Sequence, residues 1–100
     1  MKDIDFKVLE KATYMLRTAA HPARIVIINL LINKRSVSVK EIQSELGITQ
    51  SMTSQHLSAL RSVGILDYEK KANIRRYFIK NKNVIKLLEC IENCAKDSNT

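Results

Sequence analysis

Apolar residues recur at steps of three and four from Ile4 to Thr18, where Phe6, Leu9, Met15 and Leu16, with Val8 and Ala12, mark an amphipathic helix. His21-Pro22 ends it. Proline lacks the N–H that a first helical turn leaves unpaired, so Pro22 fits the opening turn of a second helix. Ala23 to Ile32 then supplies a dense apolar run in which Ile25, Ile28, Leu31 and Ile32 are expected innermost. Ser36-Val37-Ser38 reads as a short extended piece. Ser38 and Glu41 have the reciprocal spacing of a capping box, starting a helix to Leu46 with Val39, Ile42 and Leu46 on one face. Gly47 tolerates the left-handed geometry that stops this helix, and Ile48 can plug the gap before the next. Thr49 is a natural N-cap for that next helix, whose Met52, Leu57, Leu60 and Val63 are expected to anchor it to the core before Gly64.

After Gly64 the period changes. Ile65 to Lys70 and Arg75 to Lys80 read as two strands, and Lys71-Ala72-Asn73-Ile74 as the turn between them, so the segment is a β-hairpin. Helical spacing returns from Asn81 to Lys96, with Val84, Leu87, Leu88, Ile91 and Ala95 on one face; the last four residues are expected to fray. The predicted architecture is mainly α with a β-hairpin, a winged helix-turn-helix of about five helices in one domain spanning residues 1–100. Its parts are a helix-turn-helix at 39–63, a wing at 65–80, and terminal helices at 4–18 and 82–96 whose apolar stripes exceed what so small a core can cover. Those two helices are expected to form a homodimer interface.

Charge sharpens this picture. Seventeen Lys and Arg against ten Asp and Glu give a net charge of +7, which favours a polyanionic partner such as nucleic acid or an acidic membrane. Met1 to Arg35 holds seven basic and three acidic residues, Ser36 to Ile65 two and two, and Leu66 to Lys82 six and two, so the excess sits at the first two helices and the hairpin. No apolar run approaches the roughly 20 residues of a bilayer span, and Met1 to Asp5 lacks the continuous hydrophobic stretch of a signal peptide. A cytoplasmic protein with no membrane partner is expected. Enzymatic chemistry is not: there are two histidines, no glycine-rich phosphate loop and no HExxH-like spacing.

If the apolar side of the Thr49 to Val63 helix faces inward, Gln50, Ser51, Ser54, Gln55, Ser58 and Arg61 face outward, with Thr53 included among the candidate contacts. Short hydrogen-bonding side chains on a helix suit a DNA major groove, where Gln can pair bidentately with adenine and Ser or Thr can reach bases or backbone. An ordinary solvated face would look similar, but this helix is followed by a hairpin carrying Lys70, Lys71, Arg75 and Arg76, a basic wing suited to phosphates or the minor groove. Arg75 and Arg76 are the densest positive charge beside the helix. His56, between outward Gln55 and inward Leu57, reads as a partly buried packing residue rather than a ligand.

Taken together, Ala20-His21-Pro22-Ala23-Arg24, Val39-Lys40-Glu41-Ile42, Leu46-Gly47-Ile48-Thr49-Gln50-Ser51, Ser54-Gln55-His56-Leu57, Leu60-Arg61 and Gly64-Ile65-Leu66 resemble the ArsR/SmtB family of winged-helix repressors, over about Arg17 to Ile79. The resemblance implies a homodimer on double-stranded DNA, recognition helices in successive major grooves of an imperfect palindrome, and release on binding an inducer, whose identity it leaves unknown. Metal sensing does not transfer. Ser38-Val39-Lys40-Glu41-Ile42 has no cysteine where thiophilic-metal sensors carry a pair, and the positions of the Asp and three His of zinc-type sensors fall on Asn81, Asn83, Cys94 and Asp97, a poor transition-metal set. No cofactor is expected.

Cys90 and Cys94, one helical turn apart, suit reduced thiols in a cytosol better than a disulfide framework. Two readings stay open for them: a thiol sensor of metal or oxidant across a two-fold axis, or small hydrophobes in or beside the dimer seam. A winged helix used only for protein contact would show an apolar or acidic face on Thr49 to Arg61. RNA binding is disfavoured because Tyr68, Tyr77 and Phe78 read as hairpin residues rather than a stacking platform.

Overall fold

Helices in this chain begin where a side-chain acceptor meets a free backbone N–H. The computed structural model describes residues 3–98. Asp5 accepts from the Lys7 N–H at 2.8 Å and starts α1, Phe6–Ala19. His21 does the same through Nδ1, 3.1 Å from the Ala23 nitrogen, and Pro22 takes the first position of α2, Pro22–Asn33, bent 94° from α1. Ser38 and Glu41 close their capping box at the head of α3, Val39–Leu46, and Gly47 ends it at φ 65°. The Thr49 hydroxyl accepts from the Met52 N–H at 3.1 Å to start α4, Gln50–Ser62. The last helix, α5, is Asn83–Asp97, beginning two residues later than the spacing predicts because Asn81 acts as the local acceptor, 3.1 Å from the Asn83 nitrogen. Of the tail expected to fray, Asp97 ends α5 and the Ser98 N–H bonds to the Cys94 carbonyl at 3.2 Å; residues 99 and 100, like 1 and 2, lie outside the described residues.

The Ser36 to Ser38 piece becomes strand β1, Val37–Ser38, which joins the hairpin strands β2, Leu66–Lys71, and β3, Ile74–Ile79, in an antiparallel sheet ordered β1-β3-β2. Val37 pairs with Tyr77 and Ser38 with Arg76, so the hairpin is fastened to the head of α3. Its turn is Ala72-Asn73, both with positive φ (50° and 63°), a two-residue turn whose twist matches the strands but which lacks the usual glycine.

One cluster of buried side chains unites these elements: Ile27, Ile28 and Leu31 of α2, Val37, Ile42 of α3, Leu57 and Leu60 of α4, Ile65, Leu66, Tyr77 and Val84. Two expectations are corrected. In α2, Ile27 rather than Ile25 joins Ile28 at zero exposure, because α2 packs against α3, α4 and β3 together and buries more than one stripe. In α4, Met52 is 48% exposed and Thr53 is fully buried. A threonine can occupy that core position because its hydroxyl donates to the Thr49 carbonyl one turn back, at 2.9 Å, leaving no unpaired polar group. Thr53 therefore leaves the set of candidate DNA contacts.

Candidate nucleic-acid interface

With Thr53, Leu57 and Leu60 inward, the opposite side of α4 presents Gln50, Ser51, Ser54, Gln55, Ser58 and Arg61 to solvent. The hairpin stands beside this helix. Between them lies a groove of about 620 Å³, lined by Lys40 and Gln43 of α3, Gln50 and Ser54 of α4, and Lys70, Asn73 and Arg75 of the hairpin, with Ser38, Val39 and Ile74. The fold thus brings Gln50 and Ser54 together with two wing cations. Ser51 and Gln55 lie outside the groove, on the outer face of α4, while Ser58 and Arg61 border a second, smaller hollow of about 220 Å³ with Asp67 and Lys80. Lys40, Gln43 and Asn73 are the residues sequence reasoning missed. The outward spacing of Lys40 and Gln43, three apart on α3, was a usable signal, since α3 obeys the helical geometry applied to α4.

Electrostatics separate the three arginines of the region. Arg61 donates from Nε to Asp67 at 3.0 Å, and its guanidinium lies 4.5 Å from the Tyr68 ring centre. The Arg61 hydrogen bond, then the Tyr68 N–H, hold the Asp67 carboxyl below the usual carboxylate range. Arg75 stacks on the same ring at 4.7 Å, which steadies a cation in the groove. Arg76 is engaged elsewhere, its Nε and Nη2 donating to the Ser36 hydroxyl and carbonyl at 3.1 and 2.9 Å. Its Nη1 lies 3.6 Å from Glu41. Lys70 and Lys71 are exposed and form no ion pair among the described residues.

Arg24 of α2 donates from Nε to Nδ1 of His56 at 3.1 Å and from Nη1 to the Thr18 carbonyl at 2.8 Å, tying the back of α4 to the α1–α2 corner. Burial, then the Arg24 charge and that of His21, push the His56 imidazole below its ordinary value. This is the packing role its position suggested. Cys90 and Cys94 are both free and exposed on α5. The Asn81 side chain accepts from the Asn83 N–H just ahead of α5, and among the described residues no three His, Cys, Asp or Glu side chains gather as a metal site.

The family described as bacterial regulatory protein, arsR family, matches residues 21–68, the stretch from the cap of α2 into β2. Among curated relatives, the HTH-type transcriptional regulator YgaV of Escherichia coli is 32% identical over 84% of this chain and 85% of its own length. The transcriptional repressor PagR of Bacillus anthracis is 34% identical over 89% of this chain and 92% of its own. The solved structure of HlyU from Vibrio cholerae superposes with a TM-score of 0.79 at 31% identity, covering 88% of this chain and 95% of that one. A winged helix-turn-helix built by these residues, and likeness to these proteins over nearly the whole chain, together show that the chain belongs to the arsR family of bacterial regulatory proteins, which are DNA-binding transcriptional regulators.

Proposed function

We propose that the chain is a single-domain, non-enzymatic, cytoplasmic repressor that binds an imperfect DNA palindrome as a homodimer. The observation that carries this reading is the groove in which Gln50 and Ser54 of α4 stand opposite Lys70 and Arg75 of the hairpin. A helix with this face fits the major groove, with Gln50, Ser51, Ser54 and Gln55 toward base edges and Ser58 and Arg61 toward the backbone. Lys40, Lys70, Lys71 and Arg75 would neutralise phosphates alongside. Dimerisation is supported by apolar side chains that the single chain leaves in water, Phe6, Val8 and Leu16 on α1 and Leu87 and Ile91 on α5, and by an apolar groove of about 330 Å³ between the two helices, lined in part by Leu16 and Leu87. A two-fold pairing there would set the recognition helices about 34 Å apart, one turn of duplex. Among the described residues no single helix is long and apolar enough to cross a membrane.

PagR is named a repressor and HlyU of Vibrio cholerae an activator. The reading here is repression, because the direct consequence of a bound dimer is to exclude other proteins from the DNA it covers. The test is a mobility-shift assay at stated salt on genomic fragments, with wild type and the Q50A/S51A/S54A/Q55A variant. Selective retention of one palindromic fragment, lost in the folded variant, is expected. Equal affinity and unchanged sequence preference in the variant would mean that α4 does not read DNA and that the fold serves protein contact.

A further inference from the structure

The basic wing contains two adjacent arginines, and the structure gives them different neighbours. Arg75 lies in the groove, against Tyr68 and on the same wall as Lys70 and Asn73. Arg76 points to the other side of the strand, as alternation requires, and meets the head of α3. Each of its guanidinium nitrogens has a partner there: Nε and Nη2 donate to Ser36, and Nη1 lies 3.6 Å from the Glu41 carboxylate as an ion pair. Glu41 is itself the carboxylate of the α3 capping box, within reach of the Ser38 hydroxyl and N–H at 3.2 and 3.5 Å. Arg76 therefore contacts the loop before β1 and the carboxylate that organises the first turn of α3.

We infer that Arg76 is not a phosphate contact but a positioning residue, a strut that sets the angle between the wing and the helix-turn-helix. This rests on the DNA-binding reading above. The contact is well placed for the task. β1 supplies two pairs to β3, Val37 with Tyr77 and Ser38 with Arg76, so among the described residues the hairpin beyond Arg76 has no strand partner but its own second strand. An isolated two-stranded ribbon is marginally ordered in water, and a planar, bidentate side chain at the last shared pair limits its swing. The cations that reach the groove, Lys70 and Arg75, lie past that point, so their position relative to Gln50 and Ser54 depends on the angle the strut holds. Lysine cannot replace Arg76 here, because one ammonium cannot span Ser36 and Glu41 as a fork does.

Glu41 supplies a test of sign. E41Q keeps a capping-box acceptor but removes the carboxylate beside Arg76. If Arg76 served phosphates, losing this competing anion would free it and tighten DNA binding. If Arg76 is a strut, E41Q weakens binding although the protein has become more positive.

The experiment measures operator affinity against salt for wild type, R75Q, R76Q, R76K and E41Q, together with backbone ¹⁵N order parameters of residues 69–76 in each free protein. R75Q is expected to reduce the salt slope by about 1. R76Q, R76K and E41Q are each expected to bind about three- to tenfold more weakly at wild-type slope, with lower order parameters at the wing in the absence of DNA. A reduced slope in R76Q, tighter binding by E41Q, or unchanged wing order in both would overturn the strut. The order parameters read the strut without DNA, so failure of wild type to bind any duplex would count against the proposed function separately.

Discussion

The reading head, α3 to β3, and the pair of terminal helices, α1 and α5, are built from similar amphipathic patterns and end in opposite states. In the reading head the apolar side chains Ile42, Leu57, Leu60, Ile65 and Leu66 are almost completely buried. Capping side chains satisfy the helix starts, and among the described residues no buried side-chain nitrogen or oxygen lacks a hydrogen-bond partner. In the terminal helices, α1 buries only Thr18 and α5 only Val84, while Phe6 is 78% and Ile91 56% exposed. An amphipathic stripe announces that a helix face will be covered but not by which chain. The reading head is completed by its own sequence neighbours, whereas the terminal helices present a surface that a second copy would complete.

This contrast predicts that core and seam can be broken independently. Leu57→Ala removes a fully buried side chain between α4 and the core and should cost about 2–5 kcal/mol, read by urea denaturation at fixed protein concentration. If that variant unfolds at the wild-type midpoint, α4 is not held as described. The double substitution L16D/I91D places charge on the exposed stripes and should raise the dimer dissociation constant by about a hundredfold or more, seen in sedimentation equilibrium, while circular dichroism stays that of the wild type. A dimer that survives it would place the interface elsewhere.

Two smaller effects sharpen the reading head itself. Ala72 adopts φ 50° at the wing tip, where an L side chain is strained, so Ala72→Gly should stabilise the hairpin by about 1 kcal/mol, less what the unfolded chain gains in freedom. A decreased urea midpoint would show that the turn is not left-handed. The smallest effect concerns His56, whose imidazole is pushed below its ordinary value by burial and then by Arg24 and His21, which face it from α2 and its cap. Because its folded value lies below the unfolded value near 6.5, the unfolded chain binds more protons between the two. His56 therefore adds to stability above the unfolded value, and that contribution is lost as pH falls through the folded one. Urea midpoints from about pH 7.5 down to about 5 should fall less steeply in His56→Asn, which keeps an acceptor for Arg24, than in wild type. Identical slopes would remove His56 from the pH dependence.

Interactions closed within one helical turn are legible in the order of residues alone. The Ser38 and Glu41 box, the Gly47 stop and the Thr49 cap all stand where spacing puts them, because each is set by residues a few positions apart, and the hairpin stands where its short turn at Ala72-Asn73 folds two alternating segments back on each other. Side-chain direction within an element is less legible. Apolar character alone places Met52 inward, yet Thr53 takes that position by satisfying its hydroxyl inside its own helix, and Ile27 displaces Ile25 where three elements converge on α2. Contacts that span the chain are not legible at all. Charge along the sequence identifies a basic wing but cannot separate Arg75 from Arg76, since the residues that distinguish them, Ser36 and Glu41, come beside Arg76 only when β1 pairs with β3. Local capping and periodicity are written in neighbouring residues, whereas the partner of a long, charged side chain depends on how distant segments pack.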